Sequence, residues 1–113
     1  MSNMESGWRE AVELETRTID SLISAVGPEV FASLKTDFVV DLRGQSVAYR
    51  GARSAGDDVL ASESAHALRG AALNIGLYRL GGLAAELEGG ERKDEDLLEE
   101  VLETSLARLM ATG

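Results

Sequence analysis

The only histidine in the chain, His66, lies in a segment whose spacing turns it away from the protein interior. Residues 57–75 have the apolar periodicity of a helix that turns about 100° per residue. When His66 is placed on one side of that helix, small and apolar residues fill the opposite half, as expected of a face that packs into a core. These residues are Ala61, Ser64, Ala65, Leu68, Ala71, Ala72 and Ile75. We therefore predict that the imidazole points outward, where a molecule from solution can reach it.

Two residues that would lie beside the imidazole favour a chemical role for it. Arg69 and Gly70 follow His66 at offsets that make them neighbours on a helix surface. Arg69 could be an ordinary solubilising charge. A glycine inside a helix, however, costs about 1 kcal/mol relative to alanine, and it is tolerated where another molecule must approach the backbone closely. An exposed imidazole beside a gap and a guanidinium suits a phosphoryl group on the ring, because a guanidinium pairs well with phosphate oxygens.

The composition argues against several other kinds of site and partner. The 113-residue chain has 20 acidic and 11 basic residues and a formal net charge of −9, which argues against nucleic acid and anionic membranes as partners. It has no cysteine, so disulfides and thiolate metal sites are excluded, and a single histidine argues against zinc. No apolar run approaches the roughly 18 residues of a membrane span, and the N-terminus lacks the pattern of a signal peptide. We therefore expect a cytoplasmic protein with no cofactor or metal of its own.

Patterns typical of helices occur along the whole chain, and no stretch of useful length alternates apolar and polar residues as a strand would. Glycine, proline and aspartate at the junctions indicate short turns, so consecutive helices should pack antiparallel. The predicted segments are a short helix at 6–14 with Trp8 and Val12 as its apolar contacts, helices at 16–26, 28–53, 57–75 and 77–87, and a last helix capped by Asp94. Whether the helix at 28–53 breaks near Gly44 is left open by the sequence. The expected fold is all-α, an antiparallel up-down four-helix bundle over residues 15–113 with a short additional N-terminal helix or arm over residues 1–14. We expect one domain and a monomer.

The run His66-Ala67-Leu68-Arg69-Gly70-Ala71-Ala72, with Gly76 after it, resembles the histidine-containing phosphotransfer (HPt) family. The family pattern is a histidine, then an apolar residue, a lysine or arginine, a glycine, a small residue and a second glycine at fixed offsets. This sequence supplies them in order as Leu68, Arg69, Gly70, Ala72 and Gly76. The upstream stretch from Val26 to Leu42 also resembles the helix that precedes the motif in the family. The resemblance covers residues 14–88, and the last helix fits only generically.

The resemblance implies a role for each matching residue. His66 would accept the phosphoryl group. Arg69 stands where the family usually has lysine, so the charge is kept although its geometry differs. Gly70 would leave space for the active site of a partner. Glu88 stands where members often have glutamine or another polar residue, and two interpretations stay open. In the first it orients the ring by accepting a hydrogen bond from Nδ1, although a carboxylate would also favour the charged imidazolium and so oppose nucleophilicity. In the second it is a solvated helix end.

Four more residues could contact a partner or the phosphate. Leu73, on the His66 side of its helix, and Leu77, one turn further, could form an apolar docking patch, unless the N-terminal arm buries them. Arg92 could help to hold phosphate or a partner, although an ordinary surface charge is the simpler interpretation. Ser62 has an offset that would place it beside the histidine.

The family resemblance implies a phosphocarrier in a two-component phosphorelay. His66 would take a phosphoryl group from the aspartate of a response-regulator receiver domain and pass it to another receiver aspartate. A sensor histidine kinase, simple or hybrid, would be a further partner, and the receiver domain would supply Mg²⁺. The chain has no glycine-rich phosphate loop after a strand, so we expect a carrier and not a kinase. Gly81-Gly82 is explained by helix packing and Gly89-Gly90 by a turn.

Two other classes of function compete with this interpretation. The first is a helical adaptor that binds receiver or kinase domains without phosphotransfer. The second is a hydrolase with His66 as general base and Ser62 as nucleophile, but the sequence shows no cleft or oxyanion donors for it.

Overall fold

Turn-forming residues begin and end most helices of the structure, a computed structural model that describes residues 7–112. The helices are α1 (Gly7–Glu10), α2 (Thr16–Val26), α3 (Pro28–Ser54), α4 (Asp58–Asn74), α5 (Tyr78–Glu88) and α6 (Leu98–Met110), with a 3₁₀ turn at Glu95–Leu97. Gly27, at a φ of 86°, ends α2, and Pro28 begins α3. Asp57 caps α4, because its carboxylate accepts a hydrogen bond from the Leu60 amide at 3.0 Å. The predicted all-α fold is confirmed, and no strand occurs within residues 7–112.

Helices α3, α4, α5 and α6 form an antiparallel bundle in which each packs against the next and α6 returns to α3. Ion pairs between α3 and the segment from the 3₁₀ turn into α6 show their relative direction. In order along α3, these pairs are Arg43–Glu103, Arg50–Glu99 and Arg53–Glu95. The residue numbers of the acidic partners fall as those of the α3 arginines rise, so the two helices run antiparallel. This is the up-down arrangement that the short turns predict.

Leucines from all four bundle helices fill the core. Those with almost no exposed area are Leu42, Leu68, Leu80, Leu83, Leu87, Leu98, Leu106 and Leu109. Each buried leucine side chain contributes about 1.5–3 kcal/mol relative to an exposed one. Helix α4 adds small residues to this core, and Ala61, Ala65 and Ala72 are fully buried. The core therefore determines which face of α4 points inward and, by exclusion, which face meets solvent.

Helix α3 is much longer than the helices beside it. Its 27 residues span about 40 Å, whereas the 17 residues of α4 span about 26 Å. It continues through Gly44, so the break left open there does not occur. Helix α2 folds back along the N-terminal part of α3 after the turn at Gly27. Within residues 7–112, no helix combines the length and the apolar composition that a membrane span requires.

The N-terminal arm is fastened to the bundle through Trp8 and Asp94. Trp8 is buried against α5, where a Cβ at Gly82 would come within 2.8 Å of the Trp8 Cβ. Its Nε1 donates a hydrogen bond to Asp94 at 3.0 Å, and Arg9 pairs with the same carboxylate at 2.9 Å. Asp94 does precede the 3₁₀ turn that leads into α6, as predicted for a cap residue, but its side chain holds the arm and makes no capping hydrogen bond.

The other predicted contact of the arm is also corrected. Val12 is 50% exposed, and Leu14 is the residue that enters the core there. The Val12 carbonyl instead accepts a hydrogen bond from the Arg79 amide, which orients the backbone so that the valine side chain faces outward. Ser6, where the first helix was expected to begin, lies outside the described residues.

Candidate functional site

Helix α4 presents His66 to solvent near the middle of its length. The side chain of His66 is 64% exposed, whereas Ala65 and Leu68 beside it on the helix are completely buried. The imidazole points outward, as the helix spacing predicts. A solvent-exposed ring can be reached by a second protein, and this is the first requirement for group transfer between proteins.

Glu88, the last residue of α5, accepts a hydrogen bond from the His66 ring. Its Oε2 lies 2.7 Å from Nδ1. A carboxylate has only acceptor positions, so Nδ1 must carry the proton in this contact, and Nε2 of the neutral ring then has the free lone pair. The geometry thus favours the interpretation in which Glu88 orients the ring over that of a solvated helix end, and a charged imidazolium would make the same contact.

Arg69 completes this cluster from one turn further along α4. Its Nε pairs with Glu88 Oε1 at 3.1 Å, so one carboxylate joins the imidazole to the guanidinium. One Nη of Arg69 also comes within 3.4 Å of Nδ1. Since both nitrogens carry hydrogens, this approach is a close contact and not a hydrogen bond. Only one of the five N–H groups of the guanidinium is needed by Glu88, and the others remain for an anion.

The close approach of α4 and α5 brings Glu88 to the ring. A Cβ at Gly81 would lie only 2.5 Å from Leu73 Cδ2, so the glycine lets the two helices meet closely. At the other end of the contact, the Ser62 hydroxyl donates to the Glu88 carbonyl oxygen at 3.0 Å. The sequence predicts helix packing at Gly81 but not the bond from Ser62, which fastens the end of α5 below the ring. That hydroxyl is bonded to the backbone, so the geometry does not support Ser62 as a nucleophile.

Gly70 leaves open space beside the imidazole. A Cβ built at this position would meet nothing within 4 Å, so no contact within the described chain requires glycine there. The space beside the imidazole is therefore open to a molecule that approaches α4 from outside.

The predicted docking leucines have different outcomes. Leu73 is 42% exposed on the His66 side of α4 and remains available for a partner. Leu77 is fully buried, so its predicted place in an apolar surface patch is wrong. The reason is the turn at Gly76, whose φ of 86° ends the helical phase of α4. The Leu77 amide then bonds to the Ala72 carbonyl, and the side chain turns into the core.

Arg92 lies on the loop that follows α5. Its guanidinium donates to the Leu87 carbonyl at 3.1 Å and lies 3.8 Å from an oxygen of Asp58. Arginine at this position satisfies a backbone carbonyl at the end of α5, which is a common role for a cation near a helix C-terminus. It therefore supports the helix that ends in Glu88, and no contact joins it to the imidazole.

The chemistry available to this cluster is nucleophilic attack by Nε2 with a cation close by. Within residues 7–112 no group of three or more histidine, cysteine, aspartate or glutamate side chains is arranged to hold a metal ion. The cluster thus consists of an oriented imidazole, a carboxylate that orients it, a guanidinium and a gap.

Comparison with known proteins adds an independent finding. The model of one protein family, described as the Hpt domain, matches residues 28–112, which include α3 to α6 and the whole cluster around His66. Searches of curated proteins and of solved structures gave no significant match. The family match covers about three quarters of the chain, and Hpt domains act in phosphorelays as histidine phosphocarriers without a kinase site of their own. On this match and on the oriented, exposed histidine within it, the chain belongs to the Hpt domain family.

Proposed function

We propose that this protein carries a phosphoryl group on Nε2 of His66, taking it from the aspartate of one receiver domain and passing it to the aspartate of another. The observation that carries the proposal is the 2.7 Å contact between Glu88 and Nδ1 of a largely exposed ring. The contact leaves Nε2 as the nucleophilic nitrogen. Imidazole is both a nucleophile and a leaving group near neutral pH, and a carrier needs both properties.

Transfer to His66 would exchange one bond to phosphorus for another. The Nε2 lone pair attacks phosphorus and forms a P–N bond, while the bond from phosphorus to the aspartyl oxygen breaks and the carboxylate leaves with the electron pair. Nδ1 keeps its proton, so the ring becomes positively charged opposite the Glu88 carboxylate. In the second transfer a carboxylate oxygen of the next aspartate attacks phosphorus and Nε2 leaves as the neutral ring. Such transfers depend mainly on positioning and on neutralising the phosphoryl charge.

Three residues would assist this step in different ways. Arg69 would pair with the phosphoryl oxygens through the N–H groups that Glu88 does not use. Glu88 is a positioning residue, because it acts through the ring and holds the tautomer. Gly70 would let the partner's active site come close to α4, and the exposed Leu73 would add apolar contact area at its edge.

The partners follow from the reaction. Receiver domains would donate and accept the phosphoryl group, and a sensor histidine kinase would supply it to the relay. We assign Mg²⁺ to the receiver domain, whose phosphorylated aspartate it would accompany. This chain would contribute the histidine, the cation and an accessible helix face.

The test is phosphotransfer from a phosphorylated receiver domain. The purified protein should acquire label that is labile in acid and stable in base, as expected of a phosphoramidate. His66→Gln should acquire none, whereas Asn74→Gln, an exposed change on the same helix, should be labelled normally. Label that persists in His66→Gln would disprove the assignment. Failure of every receiver from the source organism to transfer label would leave only the adaptor role.

A further inference from the structure

A second surface, on α3 and apart from His66, has the form of a binding groove. Leu34 and Phe38, both half-buried, line a cavity of about 210 Å³ together with Asp37 and Asp41. These four residues, which we call the α3 groove, recur at helical spacing and so form one stripe about 10 Å long. Two apolar side chains thus lie between two carboxylates.

The groove is open because the helices beside α3 are shorter than α3. Counted back from the turn that α3 and α4 share, the 17 residues of α4 reach only to about Phe38. Among the described residues, those of α3 alone line the groove. The apolar part of α3 therefore continues past the end of α4 and meets solvent.

The two carboxylates of the groove have no partner within residues 7–112. Asp37 and Asp41 are exposed, and neither forms an ion pair or a side-chain hydrogen bond there. The nearest cations along the helix point elsewhere. Lys35 donates to the Thr112 carbonyl and lies over the Phe31 ring. Arg43 pairs with Glu103 on α6. On the α6 side of the same helix, by contrast, acidic residues of α6 pair with arginines of α3. The negative charge of the groove is thus available to a cation from outside.

We propose that the α3 groove binds a basic amphipathic helix of a partner protein. Apolar side chains of that helix would cover Leu34 and Phe38, while flanking lysine or arginine side chains would pair with Asp37 and Asp41. A helix fits because an amphipathic helix presents its anchors at i, i+3, i+4 and i+7, and the stripe on α3 has the same spacing, so apolar and charged positions of the two helices can lie opposite one another. A second copy of this chain fits poorly, since contact through the groove would bring the same carboxylates of two acidic proteins together. The proposal does not depend on phosphotransfer, because it uses a different helix from His66.

A designed peptide is a suitable probe. We would use a helical peptide of about 18 residues, built of leucine and lysine with leucines at helical spacing, and the same peptide with glutamate in place of lysine as control. Fluorescence anisotropy at physiological salt measures the affinity. Amide shifts of the ¹⁵N-labelled protein locate the site, and they should be concentrated between residues 34 and 41. The glutamate peptide should not bind.

Matched variants separate groove binding from general attraction to an acidic protein. Asp37→Asn with Asp41→Asn should weaken binding about fivefold, as expected for the loss of two exposed ion pairs. Asp96→Asn with Glu100→Gln removes the same charge at the same spacing on another part of the surface and should leave the affinity unchanged. Leu34→Ala should weaken binding about tenfold, whereas Val40→Ala, 67% exposed on another side of α3, should not. Leu34 is outside the buried core cluster, so its variant should fold, which thermal unfolding can verify.

Three results would overturn the proposal. Equal weakening by the two charge pairs would mean non-specific attraction, and so would shifts spread over α6. Absence of binding by the lysine peptide would mean that the groove does not take a basic helix. Self-association that disappears in Leu34→Ala would make a second copy of this chain the occupant.

Discussion

Glu88 and Asp94 make the same set of contacts in two parts of the molecule, yet only one of them lies at the candidate site. Each carboxylate accepts a hydrogen bond from the N–H of an aromatic ring and pairs with an arginine. The groups are His66 and Arg69 for Glu88, and Trp8 and Arg9 for Asp94. The local chemistry is alike, so the difference in role must come from the surroundings and from the rings.

Two differences separate the clusters. Trp8 is 6% exposed whereas the His66 side chain is 64% exposed, so only the second ring can meet another protein. An indole has one nitrogen, and once its N–H is bonded no reactive position remains, whereas an imidazole keeps a lone pair on its second nitrogen. Hydrogen bonds from Arg9 and Trp8 also hold the pKa of Asp94 below its ordinary value, because they stabilise the ionised carboxylate. The same contacts therefore fasten an arm in one place and orient a nucleophile in the other.

The largest effects should come from replacing the two ring-bearing residues, Trp8 and His66, by alanine. Trp8→Ala removes a buried indole and should destabilise the fold by about 3–5 kcal/mol, while folded molecules still accept phosphoryl groups at the normal rate. His66→Ala should abolish labelling with little change in stability, since its side chain is exposed. Chemical denaturation and transfer from a receiver domain measure the two properties. Loss of labelling in folded Trp8→Ala would contradict the separation of the two clusters.

Replacing either carboxylate by alanine should likewise change only one property: the transfer rate for Glu88 and the stability for Asp94. Glu88→Ala frees the ring to change tautomer and should slow transfer about tenfold, the effect of losing one hydrogen bond to a charged group. Asp94→Ala should lower the thermal unfolding temperature and leave the transfer rate unchanged. Glu88→Gln, whose amide oxygen can still accept a hydrogen bond from Nδ1–H, should restore most of the rate.

The ¹⁵N shifts of the imidazole give a readout that a merely structural role would not move. They should report a proton on Nδ1 in the wild type and in Glu88→Gln, and a mixture of tautomers in Glu88→Ala. An unchanged tautomer in Glu88→Ala would show that Glu88 does not orient the ring.

A smaller effect is expected at Gly70, where a matched glycine is available. Gly70 and Gly44 both lie within helices and both have open space around a Cβ, so alanine at either position should stabilise the protein by about 0.5–1 kcal/mol. Only Gly70→Ala should slow transfer, by a few fold, because only Gly70 lies beside the ring. Equal transfer rates for the two variants would remove the proposed role of the gap.

The last expected effect appears only at alkaline pH and concerns a third carboxylate of the same kind, Glu95. It accepts hydrogen bonds from the Tyr49 hydroxyl at 2.8 Å and from Arg53, and Arg53 lowers the pKa of Glu95 more than Tyr49 does. Burial, with the bond to Glu95, raises the pKa of Tyr49 to about 12. Since the pKa is raised in the folded state, this contribution to stability is complete below the ordinary tyrosine pKa of about 10 and is lost as the pH rises from there through about 12.

Thermal unfolding between those pH values checks this expectation. The wild type should lose stability more steeply than Tyr49→Phe over the interval. Tyr78→Phe, a change at a more exposed tyrosine, should follow the wild type. Parallel profiles for the wild type and Tyr49→Phe would contradict the assignment.

Much of the fold could be predicted from local patterns. The apolar face of α4 and the limits of α2 depend on residues within a few positions of one another, and these predictions are confirmed. The errors have two causes, a contact with a distant residue and a change of chain direction at a turn. Asp94 has the ordinary features of a helix cap, but Trp8, 86 positions away, takes its carboxylate. If the helical spacing of α4 continued past Asn74, Leu77 would lie on the His66 side of the helix. The turn at Gly76 instead directs the Leu77 side chain into the core.

The sequence by itself determined the helices, the outward direction of His66 and the presence of a cation and a gap beside it, because helical spacing places nearby residues on known faces. Only the tertiary structure decided which nitrogen of the ring is free. That choice depends on Glu88, which lies on another helix, and on the close approach that Gly81 and Ser62 allow between α4 and α5. A contact between helices depends on how they pack, and no periodicity along one helix contains that information.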